Sequence, residues 1–541
     1  MKPEWWHKSV VYQIYPRSFQ DSNGDGIGDL QGIISRLDYI QELGVDIIWL
    51  CPVYASPNDD NGYDISDYYS INPEYGTMKD MDQLIFEASQ RGIGIMMDIV
   101  ANHTSDEHPW FIEASRDIKS PYRNYYVWRD GKGEQPPSEL RSIFGGSAWE
   151  YSSETNQYFL HMFSKKQPDL NWHYPPVRRA MYEVMKFWIN KGIKGFRFDV
   201  IDLIGKEIDS NIIANGPLLH KYLQEMNKKV LQGQEVVTVG ETGGADLSQA
   251  LLYTDPDQKE LSMIFSFEHI ALDEEPGKQK WDLKPLDLND LKRVLSHWQN
   301  GLEAKGWNSL FWSNHDQPRI ISRWGNDSVY RYESATMLGT LLHLMRGTPF
   351  IYQGEEIGMT NVHFTDLSFY RDIETYQMYR ERLQKGYTEE QIFASIHAKG
   401  RDNARTPMQW NSSPMAGFTE GTPWISLNPN YVDINAKNDR LSSQSIFRYY
   451  QKLIFLRKNM NLIVYGDYNL LETEPELFAY KRIWENDCVS VFCNFTDKII
   501  DCDLTKTLLT GEILLKNYET SPLIGKLRPY EAIVFKSNIN N

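Results

Sequence analysis

At 541 residues the chain is too long for one simple domain, and 41% hydrophobic residues are enough for a sizeable core. A net charge of −17 argues against nucleic acid and anionic membrane as partners, because both favour basic surface. Four scattered cysteines, Cys51, Cys488, Cys493 and Cys502, form neither a disulfide framework nor a metal pair, so a reduced, cytoplasmic setting is expected.

Residues 1–8 lack the apolar stretch of a signal peptide, and no run approaches the roughly 18 apolar residues of a membrane span. Apolar runs bounded by Gly, Pro or Asp then alternate with helical periodicity. Strand 10–15 comes first, followed by helix 30–43 and strand 46–51. Helix 79–91 precedes strand 93–100, and helix 177–191 precedes a strand opening at Gly195. Helix 217–230 leads into strand 236–240, with a sixth strand at 263–267. Helix 288–302 leads into strand 309–312, and helix 329–345 into strand 349–352. Eight strands alternating with helices predict the α/β class, as a closed parallel (β/α)8 TIM barrel.

Two stretches break the rhythm. The gap between the third and fourth strands is about three times the roughly 30 residues of a βα unit. It is rich in aromatic residues, Gly and Pro, and reads as a subdomain over the barrel mouth, inserted at 102–174 between barrel segments 1–101 and 175–461. After a helix at 443–458, residues 462–541 carry short alternating runs and predict a small C-terminal all-β sandwich.

Polar residues at the C-terminal ends of barrel strands are the catalytic candidates. The ends read Asp98…Asn102-His103, Arg197-x-Asp199, Gly240-Glu241 and Asn314-His315-Asp316. Side chains two apart on a strand share a face, so Arg197 stands beside Asp199 and Phe196 and Phe198 pack behind the sheet. A guanidinium so placed is expected to hold Asp199 ionised, as a carboxylate nucleophile requires. Glu241 has no adjacent cation in sequence and would keep its proton as the general acid; Asp316 would raise that proton affinity by repulsion. Two carboxylates tuned apart are the equipment for cleaving a glycosidic bond.

Asp98-Ile-Val-Ala-Asn-His103, Gly195-Phe-Arg-Phe-Asp199, Val239-Gly-Glu241 and Asn314-His-Asp316 resemble the four sequence regions of the α-amylase superfamily of retaining α-glucoside hydrolases. The resemblance covers essentially the whole chain. It implies Asp199 as nucleophile, Glu241 as acid/base and Asp316 as third carboxylate. Gln167-Pro-Asp-Leu-Asn-Trp172 resembles the oligo-1,6-glucosidase and dextran glucosidase group, and Val200 the α-1,6-specific members. Asp60 and Arg401 are implied to pair at the pocket floor and bind the non-reducing end. Tyr63 is implied to stack under the sugar, with Phe144 and Phe163 on the walls and Gln167, His103, Arg197 and His315 beside it. Gly243 departs from the dextran glucosidase branch, which often carries Trp there, and widens the acceptor side.

Asp21, Asn23, Asp25 and Asp29 place oxygen ligands at loop positions 1, 3, 5 and 9, with Gly26 at 6 and the Ile27 carbonyl at 7. Gly32 stands where an EF-hand has its bidentate Glu, and a strand precedes the loop, so this is a hard-cation loop of another kind. Related enzymes carry a structural Ca²⁺ there, which the resemblance implies here. No cofactor is expected for the chemistry.

The reading is an exo-acting α-1,6-glucosidase taking α-glucoside oligosaccharides, a monomer or weak oligomer. An α-1,4-active or broad α-glucosidase, a trehalose-6-phosphate hydrolase and a sucrose isomerase or transglucosylase share its mechanism and stay open. A catalytically dead barrel serving as a transporter-accessory subunit is disfavoured, because all three carboxylates are kept and no span is found.

Overall fold

In the computed structural model, which describes residues 2–502, 504 and 511–539, eight parallel strands form one sheet. They are β1 (Val11–Ile14), β2 (Ile47–Leu50), β3 (Gly94–Val100), β4 (Gly195–Asp199), β5 (Val237–Thr242), β6 (Met263–Ser266), β7 (Ser309–Leu310) and β8 (Thr348–Tyr352). Their order is β6-β5-β4-β3-β2-β1-β8-β7, and a parallel bridge between Ile264 and Asn308 joins β6 to β7 and closes the barrel. The alternation of side chains explains both faces. Val11, Ile47, Trp49, Met96, Val237, Val239, Met263, Phe265 and Phe350 fill the interior, while Tyr12, Ile48, Met97, Phe196 and Phe198 belong to the larger core outside it. Following Val237 and Val239 up β5, the next side chain on the interior face is Glu241.

The expected helices flank the barrel, with two local differences. The predicted helix 30–43 is two pieces, α1 (Leu30–Ser35) and α2 (Leu37–Leu43), broken at Arg36 with φ −107° and ψ 4°. The Arg36 guanidinium lies 4.2 Å over Trp410 and its Nε donates to Gln20 Oε1 at 2.8 Å, an anchoring that accompanies the break. The predicted helix 217–230 is regular only over Leu219–Met226 and ends in a π-turn, Asn227–Leu231.

Within 102–174 a helix, Pro109–Arg116, precedes a small antiparallel sheet of Trp128–Arg129, Gln157–Leu160 and Trp149–Ser152. A second excursion, absent from the sequence reading, follows β8. It carries α3 (Ile373–Gln384) and α4 (Glu389–Lys399), packed with Trp281 and Tyr370 in a core of their own. The helix Ile446–Asn459 then leads to the C-terminal region. Five antiparallel strands there pair in the order Asp467–Leu470, Leu477–Trp484, Asp487–Asn494, Ala532–Asn538, Glu512–Lys516, with Ile500–Asp501 and Lys526–Leu527 as a separate ribbon. Among the described residues no helix is long and apolar enough to cross a membrane, and all four cysteines are buried.

Candidate active site

Register across the barrel brings the charged strand ends together. Asp98 on β3 lies opposite Arg197 on β4, which lies opposite Val239 on β5. Arg197 is 2% exposed and is the hub: its Nη1 donates to Asp98 at 2.9 Å and to Asp199 at 2.8 Å, and its Nη2 donates to Glu241. Below the hub, Trp49 stacks under the guanidinium at 5.2 Å and donates its indole N–H to Asp98 at 3.2 Å.

This geometry corrects two electrostatic expectations. Glu241 does have a cation beside it, the Arg197 guanidinium, contributed by the neighbouring strand. One guanidinium also serves three carboxylates. Burial, opposed by Arg197 and reinforced by the Glu241 and Asp98 charges, therefore pushes Asp199 well above the usual carboxylate range. Asp199 and Glu241 both accept from the one Arg197 guanidinium. Burial thus works against the expectation that Arg197 alone keeps Asp199 ionised.

Asp316 has other company. Its Oδ1 accepts from Arg405 Nη2 at 2.6 Å and Arg401 Nη1 at 3.3 Å, and its Oδ2 lies 3.3 Å from His315 Nε2. Burial alone would raise it, but His315, Arg401 and Arg405 together hold it far below the usual range. The Glu241 charge in turn helps to raise Asp98, Asp199 and Asp202.

Asp60 and Arg401 meet as expected, with Nη2 3.4 Å from Oδ1. The stronger partner was not singled out in the sequence: Asp372, fully buried at the start of α3, accepts from Arg401 Nε at 3.0 Å and from its Nη2. Burial pushes Asp60 up to about 7 against the pull of Arg401 and Arg405. Asp372 feels the same burial, but Arg401 and Arg405 bring it down to about 2. Arg405 was visible only as part of a motif; its place two positions before Pro407 in Arg405-Thr-Pro-Met-Gln-Trp410 gave no sign that it holds Asp316.

The remaining candidates surround this centre. Tyr63 stacks on His315 at 5.2 Å and donates its hydroxyl to Asp98 at 3.0 Å. Gln167 approaches Asp60 at 3.3 Å and His103 at 3.2 Å. Phe163 packs on His103 at 5.2 Å and on Phe144 at 5.4 Å, and Arg401 lies 5.1 Å over Phe144. Burial lowers His103 to about 4 and His315 to about 3, so both are neutral. Gln13 donates to His315 Nδ1 at 2.9 Å, which leaves the His315 proton on Nε2, facing Asp316. Every predicted substrate-side residue is therefore part of one contiguous cluster.

Beyond Glu241 a groove of about 660 Å³ opens, lined by Val200, Gly243, Gly244, Asp246, Phe267, Glu268, Glu274, His297 and Gln317. Among the described residues neither Lys nor Arg lines it.

The 21–29 loop folds on itself. Asp21 accepts from the backbone of Asn23 at 2.9 Å, Gly24 at 2.8 Å and Gly26 at 2.8 Å; Asn23 accepts from Asp25, and Asp25 from Ile27. Asp29 accepts from Ser22 at 2.8 Å and caps α1 through Gly32 at 2.7 Å. Gly26, at φ +91°, permits the wrap. Its donors are all hard oxygens, the chemistry a Ca²⁺ ion takes. Among the described residues no three His, Cys, Asp or Glu side chains gather to hold a metal, so any ion would also need the Asn23 amide and the Ile27 carbonyl.

Adjacent carboxylates on one barrel rim, backed by a walled cluster of charges and aromatic rings, define a glycoside hydrolase. Residues 13–466 match the α-amylase catalytic domain, and the chain belongs to the α-amylase family. It is 54% identical to the oligo-1,6-glucosidase of Halalkalibacterium halodurans, with 99% of each chain covered. It is 52% identical to the glucan 1,6-alpha-glucosidase of Streptococcus pneumoniae, over 98% of this chain and 99% of that one. The solved trehalose-6-phosphate hydrolase of Bacillus licheniformis superposes with a TM-score of 0.94 at 46% identity, covering 99% of this chain and 100% of that one.

Proposed function

We propose that the protein is a retaining, exo-acting α-glucosidase that releases glucose from the non-reducing end of α-1,6-linked oligosaccharides. The observation that carries the mechanism is that Asp199 and Glu241 flank one guanidinium: Arg197 Nη1 donates to Asp199 at 2.8 Å and its Nη2 donates to Glu241. An inverting pair stands about 6.5–9.5 Å apart to admit water, whereas a retaining pair is closer. Asp199 attacks the anomeric carbon from one side while Glu241 protonates the departing oxygen, giving a covalent glucosyl-enzyme. Glu241, now a carboxylate, then takes a proton from water, which attacks the same carbon and restores the α configuration. Asp316 and the neutral His103 and His315 bind ring hydroxyls. Arg401 and Asp60, walled by Tyr63, Phe144, Phe163 and Gln167, close off the far end of the glucose, which makes the enzyme exo-acting.

The linkage preference rests on Val200 and on the two curated relatives named for 1,6-linked substrates. The groove beyond Glu241 counts against a phosphorylated acceptor. It presents Asp246, Glu268 and Glu274 and no Lys or Arg to neutralise phosphate. The 21–29 loop is proposed to take a structural Ca²⁺ through Asp21, Asn23, Asp25, the Ile27 carbonyl and Asp29, away from the chemistry. The buried free thiols of Cys51, Cys488 and Cys493 fit a cytoplasmic location.

The test is product analysis on isomaltotriose and maltotriose in parallel, with the released anomer followed by NMR. Initial α-glucose from isomaltotriose, with little from maltotriose, is expected. Initial β-glucose would overturn retention, and equal release from both would overturn the linkage assignment. Asp199→Asn should abolish turnover while leaving the fold intact.

A further inference from the structure

The groove beyond Glu241 is backed by a buried ion cluster that the proposed chemistry does not use. Its centre is Asp273, buried in the turn after β6. Asp273 Oδ2 accepts from Arg323 Nε at 2.6 Å and from the Trp324 indole N–H at 3.0 Å. Its Oδ1 accepts from Arg323 Nη2 at 2.6 Å and from Lys399 Nζ at 2.7 Å. Arg323 and Trp324 end a short helix, Ile320–Trp324, just beyond Asp316. Lys399 is the last residue of α4 and is buried, so the excursion after β8 meets the groove through this cluster. Both cations also reach side chains that line the groove. Lys399 Nζ donates to Glu274 Oε1 at 2.9 Å, and Arg323 Nη1 donates to Gln317 Oε1 at 3.2 Å. Lysine and arginine only donate, so the atoms they touch are acceptors and the Gln317 amide is turned one way. Among the described residues neither Glu274 Oε2 nor the Gln317 amide nitrogen has a hydrogen-bond partner in the protein.

We propose that Lys399 is a positioning residue for the sugar on the leaving side: by holding Glu274 Oε1 it leaves Glu274 Oε2 free to accept from a hydroxyl of that sugar, while Gln317, held by Arg323, is free to donate to one. This rests on the glycosidase reading above, with the groove as the leaving side. A sugar hydroxyl both donates and accepts, so a carboxylate oxygen and an amide N–H in one groove match it. The Glu274 side chain is 23% exposed, and Lys399 is its one ion-pair partner among the described residues. Without that cation the side chain is released from its place, and ordering it again on a sugar costs binding energy. The cation also stands behind the groove rather than in it, so it steadies Glu274 without offering a charge to a phosphate.

The experiment measures kcat/KM on isomaltotriose and on α-glucosyl fluoride, whose leaving group carries no sugar, for wild type, Lys399→Met, Lys399→Arg and Glu274→Gln. Met keeps the apolar stem and removes the charge. In Lys399→Met the ratio of isomaltotriose to fluoride kcat/KM should fall about tenfold, the loss of one hydrogen bond to a charged group, with KM for isomaltotriose carrying most of it. Lys399→Arg should recover most of the ratio. Glu274→Gln should lower it to a similar extent, and adding Lys399→Met to Glu274→Gln should lower it by no more than about twofold further, because both act on one contact. An unchanged ratio in Lys399→Met, or equal losses on both substrates with a lower Tm, makes Lys399 a packing residue and overturns the proposal. A second loss of about tenfold in the double variant overturns it too, since Lys399 would then not act through Glu274. If Lys399→Met does not fold, Lys399→Gln, uncharged but polar, is held to the same ratio. Wild-type turnover separates the two levels. If wild type cleaves neither substrate, the glycosidase reading fails and this proposal falls with it; if it cleaves both and the ratio does not move, only the role of Lys399 is lost.

Discussion

Asp372→Asn tests whether the deep end of the glucose pocket depends on a residue that never touches sugar. Asn keeps the volume and the oxygen that caps α3 through Glu374 N–H at 3.2 Å, so the substitution removes chiefly charge. Arg401 then loses its tightest partner and keeps Asp316 at 3.3 Å, Asp60 at 3.4 Å and Glu374 at 3.5 Å. Breaking a buried ion pair costs about 3–5 kcal/mol, and the three remaining carboxylates reduce this to about 2–3 kcal/mol of stability. The freed guanidinium leans on Asp60 and Asp316, the carboxylates proposed to hold sugar hydroxyls. A loss of the same size there lowers kcat/KM roughly 30- to 150-fold, with KM carrying more of it than kcat, since ground-state binding is weakened too. The assay is steady-state kinetics on isomaltotriose together with thermal unfolding from pH 7 to pH 2. Asp372 sits at about 2, below its ordinary 3.8, so its stabilisation is complete above about pH 4 and disappears as pH falls towards 2. The gap in Tm between wild type and variant should therefore be full at neutral pH and close between pH 4 and pH 2. An unchanged KM, or a gap independent of pH, would show that Asp60 and Asp316 hold Arg401 without Asp372.

Val200→Ala removes two methyl groups beside the scissile bond; the ratio of maltotriose to isomaltotriose turnover should rise roughly tenfold, read from initial rates on both sugars. Gly243→Trp fills a position with no neighbouring atom within 4 Å, so the fold should tolerate it. Chains longer than isomaltotriose should then lose more kcat/KM than isomaltose does. Burial pushes Glu355 up to about 8, so the folded state binds a proton that the unfolded chain releases near pH 4. Wild-type stability should accordingly fall as pH rises from about 4 to 8, whereas Glu355→Gln should lack that slope; parallel Tm profiles would refute the assignment.

The barrel was legible because its strands are short, strongly apolar and punctuated, and because the period-two alternation that fills the interior also lifts Asp98, Arg197, Asp199 and Glu241 to one rim. The charge pairing across that rim was not legible. Arg197 and Glu241 are 44 positions apart, and only the parallel pairing of β4 with β5 makes them neighbours. Asp372 escaped for a related reason. Its partner Arg401 lies 29 positions away, and α3 buries Thr375, Met378 and Arg382, a set too polar to announce a helix face. The break at Arg36 was hidden because Leu30, Ile33, Leu37 and Ile40 keep one helical stripe across it.

The two cationic hubs divide the carboxylates by task. Around Arg401 and Arg405, two guanidinium groups face Asp60, Asp316 and Asp372, and two of the three acids are pulled below their ordinary range. Charges held in that way suit the proposed binding of sugar hydroxyls without proton exchange. Around Arg197, one guanidinium faces Asp98, Asp199 and Glu241, and burial outweighs it, leaving Asp98 at about 6 and Asp199 well above the carboxylate range. Burial therefore favours a proton on the carboxylates of the second hub. The proposed mechanism requires that this proton sit on Glu241 while Asp199 is ionised against Arg197 at 2.8 Å. A neutral glucose unit entering between the two carboxylates separates them and displaces water, which strengthens the Arg197–Asp199 attraction and leaves Glu241 facing the leaving oxygen. On this account substrate entry itself assigns the proton, and the shortage of cations around Arg197 is what makes a proton available to assign.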